Sequence, residues 1–155
     1  IKELAILSPI LKRTHLLFVN QREIRHLTGE DVIAGAENCL KQGCRMVVVT
    51  LGKGMRLELS RRTVTAVCYI RDAENEYAIE PSSQDIVSEV DATGAGDAFA
   101  AGFLYGLLKG KGLNQCGCLG DIVARFSLTK LGAREGLPTF TELAQRHHEL
   151  YNQQL

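Results

Sequence analysis

Short apolar runs separated by polar or glycine-containing segments predict the strands of this chain. Residues 15–20 (HLLFVN) and 45–52 (RMVVVTLG) are rich in apolar and β-branched side chains, which is typical of strands buried on both faces. Three further runs are strand candidates, at residues 55–60, 63–70 and 76–80. The first of these would be an antiparallel extension that follows the preceding strand across a glycine turn.

Apolar residues at helical spacing predict helices between and after these strands. The first two helices end at Gly29 and Gly43, because glycine is a common stop signal. Thr139 or Thr141, behind Pro138, would cap the last helix. The predicted helices cover residues 21–29, 30–43, 96–110, 115–132 and 139–155, and the first residues of the chain read like the end of another. Strands that alternate with helices indicate an α/β layered fold with a mostly parallel sheet.

The composition is that of an ordinary globular domain of 155 residues, with 45% hydrophobic and 23% charged residues. Its 18 basic and 18 acidic residues cancel, which makes nucleic acid and membrane surfaces poor partners. We find neither a signal-peptide pattern nor an apolar run of roughly 18–20 residues. The five cysteines lack metal-ligand spacing and are expected to be reduced thiols of a cytoplasmic protein. His147 and His148 are adjacent, so they do not share a helix face and are expected to be solvated.

The segment VDATGAGDAFAAGFL, residues 90–104, places three small residues before an aspartate at the start of a predicted helix. The first amide N–H groups of a helix have no partner inside it, and the helix dipole makes this end positive. Gly94, Ala95 and Gly96 would let an anion, commonly a phosphate, approach the backbone closely. Asp97 then has two interpretations. It is either a charge that stabilises the helix start or a general base beside a transferred phosphoryl group.

The stretch from Asp91 to Phe103 resembles the second sequence motif of the PfkB, or ribokinase-like, family of carbohydrate kinases. One departure is Ala92, where the family usually has Thr, Ser, Pro or Val. The resemblance implies an ATP-dependent kinase that phosphorylates a hydroxyl of a sugar. Asp97 would be the general base, and the Gly94-Ala95-Gly96 turn would be the anion hole, with the N–H groups of Ala95, Gly96 and Asp97 as donors.

Two earlier segments resemble the same family in the family's order. FVNQREIRHLTG is similar to its strand-to-helix turn with Asn-x-x-Glu, which implies that Asn20 lies near the phosphates and that Glu23 helps to hold magnesium through water. VVVTLGKGMRL is similar to its Thr-x-Gly nucleotide segment, here Thr50 and Gly52, with Gly54 in the next turn. Ligands bind at the carboxyl ends of parallel strands in open α/β sheets, and these residues follow predicted strands.

The segment LGDIVARFSLTKLGAREGLP resembles the helix and loop that close over the adenine in this family. The resemblance implies that Gly120 and Asp121 line the adenine pocket, and that Gly132 and Ala133 belong to the loop after it. Family members often bind a monovalent cation beside the anion hole, which here would involve Asp91, the backbone near Thr93 and the loop around Ala133–Gly136. Gly136 stands where some relatives place a Ser ligand, so the need for potassium stays open.

The resemblance runs from about residue 15 to residue 140 and covers the C-terminal half of a family member. It implies a ribokinase-like layered fold with a mostly parallel central sheet flanked by helices. Residues 1–155 would be its nucleotide-binding and phosphoryl-transfer part, without the N-terminal substrate and lid part. The acceptor would be a small molecule, and a homodimer is an open expectation.

The sequence leaves three alternatives to the sugar kinase. An adenosine-type nucleoside kinase is a close one, because acceptor choice is expected to lie mainly in the absent half. A non-catalytic or incomplete nucleotide-binding module is the second. A dinucleotide-dependent oxidoreductase is disfavoured, because GAGDAF lacks the third glycine of the GxGxxG fingerprint.

Overall fold

The computed structural model describes residues 2–60, 62–82 and 88–155. The chain divides into two compact units, Ile1–Glu80 and Pro81–Leu155. That all 155 residues form one domain stays a prediction.

The first unit contains a four-stranded sheet in the order β1-β2-β3-β4. β1 and β2 are parallel, with Leu17 opposite Val47 and Asn20 opposite Thr50. β2 and β3, and then β3 and β4, are antiparallel. The elements of this unit are α1 (Lys2–Leu11), β1 (Leu17–Asn20), α2 (Gln21–Thr28), α3 (Val32–Lys41), β2 (Met46–Leu59), β3 (Arg62–Asp72) and β4 (Glu76–Ile79).

Two details of the sheet correct the sequence-based expectation. Among the described strands the sheet is mixed, with one parallel and two antiparallel pairs, where a mostly parallel sheet was expected. The runs at 45–52 and 55–60 are one continuous strand, β2, with a shift of register between Thr50 and Met55. Gly52 and Gly54 have φ angles of +61° and +114°. They therefore let β2 bulge and continue along β3 where a turn was predicted.

The core of the first unit lies between the sheet and its helices. The side chains of Ile24 on α2, Ala36 on α3 and Val47 on β2 are fully buried in one apolar cluster. α2 and α3 approach closely at Gly35, where an added Cβ would lie 2.8 Å from Thr28 Oγ1.

All five cysteines are buried free thiols, as expected. Burial raises the pKa of the Cys39 thiol to about 11, which keeps it protonated and unreactive.

The second unit contains three helices among its described residues: α4 (Ala95–Leu108), α5 (Leu113–Ser127) and α6 (Phe140–Tyr151). α4 and α5 pack at glycines, since a Cβ added to Gly102 would lie 2.6 Å from the carbonyl oxygen of Leu119. α5 ends at Ser127, five residues before the predicted end at 132. Thr129 Oγ1 donates to the carbonyl oxygen of Phe126 at 2.7 Å, which satisfies a carbonyl near the end of the helix. In the described residues, no helix is long and apolar enough to cross a membrane.

The last helix begins at Thr139, one of the two caps predicted for it. Thr139 is the N-cap of α6, and its hydroxyl accepts from the N–H of Glu142 at 3.3 Å, while the Glu142 carboxylate accepts from the N–H of Thr139 at 2.7 Å. The expectation that both histidines are solvated is wrong for His147, which is 3% exposed. Its Nδ1–H donates to the carbonyl oxygen of Gln153 at 3.1 Å, which ties the chain terminus to α6.

His147 should make the stability of the second unit sensitive to mild acid. Burial lowers its pKa below the ordinary value of 6.5, and Lys111 and His148 lower it further. As the pH falls below 6.5, His147 binds a proton in the unfolded chain more readily than in the folded chain. The free energy of unfolding therefore decreases until the pH passes the lower pKa of the folded state. We expect urea midpoints to drop between about pH 7.5 and about pH 5, and to drop less in His147→Gln. His148→Gln, at an exposed neighbour, is the control and should keep most of the wild-type pH dependence, because burial, the largest cause of the lowered pKa, stays in place. Equal slopes in all three proteins would contradict the assignment.

Candidate functional site

The turn that begins α4 presents free backbone donors, as predicted, but fewer of them. Gly94, at φ +78°, is the N-cap and offers no side-chain cap to the helix. The N–H of Ala95 donates to the carbonyl oxygen of Ala92 at 3.2 Å, and the N–H of Ala98 donates to the carbonyl oxygen of Gly94 at 2.9 Å. In the part of the chain that the structure describes, the N–H groups of Gly96 and Asp97 have no protein acceptor. The predicted trio of donors is therefore a pair, and residues 94–97 are called the anion turn below.

The two glycines of the anion turn have different surroundings. A Cβ added to Gly94 would lie 2.8 Å from the Cβ of Ala133, so this position is closed. A Cβ added to Gly96 would meet no atom within 4 Å, so the backbone there borders open space. Asp97 is exposed, and its carboxylate has no hydrogen-bond partner among the described residues. The turn thus combines an open approach to two donors with an uncommitted carboxylate, which suits an anion and a hydroxyl.

Asp91 already has partners for both carboxylate oxygens. Oδ1 accepts from the N–H of Thr93 at 2.9 Å and from its hydroxyl at 2.7 Å, and Oδ2 accepts from the N–H of Gly132 at 2.8 Å. The hydrogen bond from Gly132, followed by those from Thr93, lowers the pKa of Asp91 below its usual range. Ligation of a monovalent cation by Asp91 and Thr93 stays a prediction. The link from Asp91 to residue 132 spans 41 positions and could not be read from the sequence.

The structure brings Asn20 and Thr50 together at the point where the parallel pairing of β1 with β2 ends. They are register partners at the end of β1 and within β2. Asn20 is also the N-cap of α2, and its Oδ1 accepts from the N–H groups of Arg22 and Glu23, both at 2.9 Å. Glu23 Oε2 accepts from the N–H of Asn20 at 2.7 Å, which completes a capping box. The Asn-x-x-Glu spacing resembles the known capping pattern, a structural signal that the sequence analysis did not use.

Gly52 and Gly54 lie in the bulge of β2. Both have positive φ angles, so both are required by the backbone whether or not a nucleotide binds. A Cβ added to Gly54 would lie 3.1 Å from Thr65 Cγ2, whereas one added to Gly52 would meet nothing within 4 Å. Gly52 is exposed and open, and it remains the better candidate of the two for contact with a ligand.

Gly120 and Asp121 have structural roles that the sequence analysis missed. Gly120 is buried against α4, where an added Cβ would lie 2.9 Å from the carbonyl oxygen of Phe99. Asp121 Oδ2 accepts from Arg125 Nε at 2.7 Å in a largely buried ion pair one helical turn apart. The i to i+4 spacing of opposite charges is the signal that would have found this pair. Contact of either residue with adenine stays a prediction.

Gly136, the position where some relatives carry a serine ligand, is sterically restricted in this chain. An added Cβ would lie 2.5 Å from the carbonyl oxygen of Phe126 and 3.0 Å from that of Ser127. These are backbone atoms at the end of α5, so they cannot move aside at low cost. Any side chain at 136 would require the loop to shift.

Among the described residues, no group of three or more His, Cys, Asp or Glu side chains could hold a metal ion.

The predicted residues therefore form two groups, one in each unit. The first group lies at the ends of β1 and the bulge of β2, and consists of Asn20, Glu23, Thr50, Gly52 and Gly54. The second lies around the start of α4, with residues 132–133 against it, and consists of Asp91, Thr93, Gly94, Ala95, Gly96 and Asp97. Gly120 and Asp121 lie on α5.

Residues 4–140 match the model of the pfkB family of carbohydrate kinases. The chain belongs to this family. The matched region includes every residue of both groups, so the motif resemblance is confirmed at the level of the family and its fold.

Curated relatives include sugar and nucleoside kinases. The chain is 42% identical over 132 residues to an uncharacterized sugar kinase of Archaeoglobus fulgidus, covering 85% of this chain and 47% of that protein. It is 35% identical over 133 residues to a cytidine kinase of Thermococcus kodakarensis, covering 85% of this chain and 43% of that protein. The chain thus spans less than half the length of these relatives.

Solved structures agree on the fold. The ribokinase of Thermotoga maritima is 27% identical and superposes with a TM-score of 0.71, covering 88% of this chain and 43% of that one. A nucleoside kinase of Burkholderia thailandensis, solved in complex with inosine, superposes with a TM-score of 0.74 at 21% identity, covering 97% of this chain and 45% of that one. The fold is therefore that of the ribokinase-like kinases, present here in part.

Proposed function

We propose that this protein transfers the γ-phosphoryl group of ATP to a hydroxyl group of a sugar. The observation that carries the proposal is the anion turn. Two unpaired N–H groups, of Gly96 and Asp97, border open space at the positive end of a 14-residue helix. An uncommitted carboxylate, that of Asp97, lies in the same turn. Membership of the PfkB family supports this choice of chemistry.

In this mechanism the chain supplies a proton acceptor and a charge-stabilising cradle. The Asp97 carboxylate accepts the proton of the acceptor hydroxyl while the hydroxyl oxygen bonds to the γ-phosphorus. The bond between the γ-phosphorus and the bridging oxygen of the β-phosphate breaks, and ADP leaves. The N–H groups of Gly96 and Asp97 donate to the phosphoryl oxygens, where negative charge develops. Both donors are fixed in the first turn of α4, so they need little reorganisation during the reaction.

ATP supplies the phosphoryl group, and Mg²⁺ neutralises phosphate charge when both are bound. We propose that Asn20, Thr50 and Gly52 contact the nucleotide and that Glu23 holds the metal ion through water. The fit is supported by the capping box, in which Oε2 of Glu23 accepts from the N–H of Asn20 while the carboxylate stays exposed to a hydrated cation. Open space at Gly52 leaves room for a phosphate beside the bulge of β2.

Two other functions have specific support. A nucleoside acceptor is favoured by the 35% identity to a cytidine kinase and by the fold shared with a nucleoside kinase solved in complex with inosine. A nucleotide-binding module without turnover is supported by the position of Asp97 in the first turn of α4, where its charge can stabilise the helix start without acting as a base. The acceptor and the ability to turn over are the properties that separate the three.

Gly96→Val should weaken the binding of Mg·ATP strongly while the fold is retained. The new side chain would extend into the space that the proposal assigns to the phosphates, where the protein itself has no atom within 4 Å of the Cβ. We expect calorimetric affinity to fall by at least roughly tenfold, since a backbone phosphate site depends on close approach. Gly112→Val is the matched control, because Gly112 also begins a helix and its added Cβ also meets nothing within 4 Å.

The outcomes separate the candidate functions. Binding by the wild type and by Gly112→Val, with loss in Gly96→Val, supports the nucleotide site. Phosphoryl transfer is then measured with ribose, fructose, cytidine and inosine, and the favoured acceptor decides between a sugar and a nucleoside kinase. Binding without transfer to any acceptor would favour the module. Equal affinity in Gly96→Val and wild type would contradict the phosphate site at the anion turn.

A further inference from the structure

The anion turn is tied to a loop that follows α5. The N–H groups of Val90 and Asp91 donate to the carbonyl oxygen of Leu128, at 2.8 Å and 3.3 Å. The N–H of Gly132 donates to Asp91 Oδ2 at 2.8 Å. This last bond, called the Asp91 tether here, is charge-assisted and belongs to the stronger class of protein hydrogen bonds. Three bonds therefore join the segment before α4 to residues 128–132.

Ala133 extends this contact to the anion turn itself. If Gly94 carried a Cβ, that atom would lie 2.8 Å from the Cβ of Ala133, 3.2 Å from its Cα and 3.3 Å from its carbonyl oxygen. The backbone of Gly94 thus lies directly against Ala133. Gly94 is the N-cap of α4, so its placement sets the direction of the next N–H groups, those of Gly96 and Asp97.

We propose that Asp91 is a positioning residue for phosphoryl transfer, acting through Gly132 and Ala133 on the anion turn. The inference rests on the function proposed above. Asp91 Oδ1 holds the turn from within, through the N–H and hydroxyl of Thr93. Oδ2 holds the loop that packs on Gly94. Without the tether the loop and turn could move apart, and the two donors would have to be ordered again each time an anion binds.

Asp91→Asn tests this role with a nearly isosteric change. The amide oxygen can keep the hydrogen bonds from Thr93, but the amide nitrogen is a donor and cannot accept from the N–H of Gly132. We expect the Gly132 amide to exchange its hydrogen faster. We also expect the affinity for inorganic tripolyphosphate, read from the amide NMR signals of Gly96 and Asp97, to fall roughly tenfold. The amide signals of α5 should stay in place. A buffer of tetramethylammonium ions keeps small monovalent cations from bridging the loop.

Asp72→Asn is the matched control. The Asp72 carboxylate also closes a turn, accepting from the N–H groups of Glu74 and Asn75 at 2.8 Å and 2.6 Å, but it belongs to the other unit. It should leave tripolyphosphate binding unchanged. In the transfer reaction we expect Asp91→Asn to lower kcat and to leave the KM of the acceptor near its wild-type value. A purely structural role would lower the amount of folded protein and leave kcat per folded molecule unchanged.

Ala133→Gly is the second variant and keeps the tether while it removes the methyl group against Gly94. It should weaken tripolyphosphate binding by roughly two- to threefold, because the turn is less confined. Unchanged binding in both Asp91→Asn and Ala133→Gly, with a responsive wild type, would overturn the positioning role alone. If Asp91→Asn does not fold, the result for Ala133→Gly decides the question. A wild type whose Gly96 and Asp97 signals ignore tripolyphosphate would overturn the proposed function and this inference together.

Discussion

Asp97→Asn should bind Mg·ATP about as well as the wild type and should lose phosphoryl transfer by roughly 10²–10⁴-fold. The substitution keeps the shape of the side chain and both backbone donors of the anion turn. It removes the only property that the mechanism takes from this side chain, the ability to accept a proton from the acceptor hydroxyl. Nucleotide affinity would hold steady or rise slightly, because a negative charge near the phosphates is removed.

The measurement compares ADP formation and calorimetric affinity in the same preparation. Asp31→Asn is the matched control, since Asp31 is the N-cap of α3 and asparagine is an equally good cap. The alternative interpretation of Asp97, a charge that only stabilises the helix start, predicts the reverse result. Stability would fall by about 0.3–1 kcal/mol, the usual value of a charge at a helix end, and the rate would not change. A near wild-type rate in Asp97→Asn would therefore remove the base from the mechanism.

Local sequence signals predicted the elements that depend on neighbouring residues. Gly29 ends α2 in the left-handed conformation at φ 75°, and Thr139 starts α6 with a capping box, because both features are contained in a few consecutive residues. Gly52 and Gly54 were misread as a turn for the opposite reason. Whether two such glycines reverse a strand or bulge it depends on the partner strand, here β3, which pairs on both sides of the irregularity.

The candidate site shows the same division between local and distant information. The motif predicted an open helix start. Only the structure shows that the N–H of Ala95 is bonded to Ala92 and that the carboxylate of Asp97 has no partner among the described residues. Gly120 was assigned to a nucleotide from its motif, whereas its contact with Phe99 depends on how α4 and α5 pack. The tether from Asp91 to Gly132 joins positions 41 apart, and a single sequence contains no signal for it.

Alanine substitutions at two glycines of α4 should have opposite effects on stability. Gly102 faces α5, where an added Cβ would lie 2.6 Å from the carbonyl oxygen of Leu119 and 3.0 Å from the Cα of Gly120. These are backbone atoms, so the two helices would have to separate, and overpacking of this kind costs about 1–3 kcal/mol. Gly96 borders open space, so alanine there meets no steric obstacle.

The intrinsic preference for helix sharpens the comparison, because alanine is favoured over glycine by about 0.5–1 kcal/mol in helix interiors. Gly96 lies in the first turn, where a smaller part of this gain applies, but no contact opposes it, so alanine there should raise the free energy of unfolding slightly. At Gly102 the same gain is outweighed by the clash with backbone, which leaves a net loss. Urea unfolding followed by circular dichroism would measure both, with wild type as reference. Stabilisation by both alanines would mean that α4 and α5 lie further apart than the glycine contacts indicate. If Gly96→Ala is stabilising and yet weakens Mg·ATP binding, glycine at 96 serves the ligand, because the fold itself has no need of it.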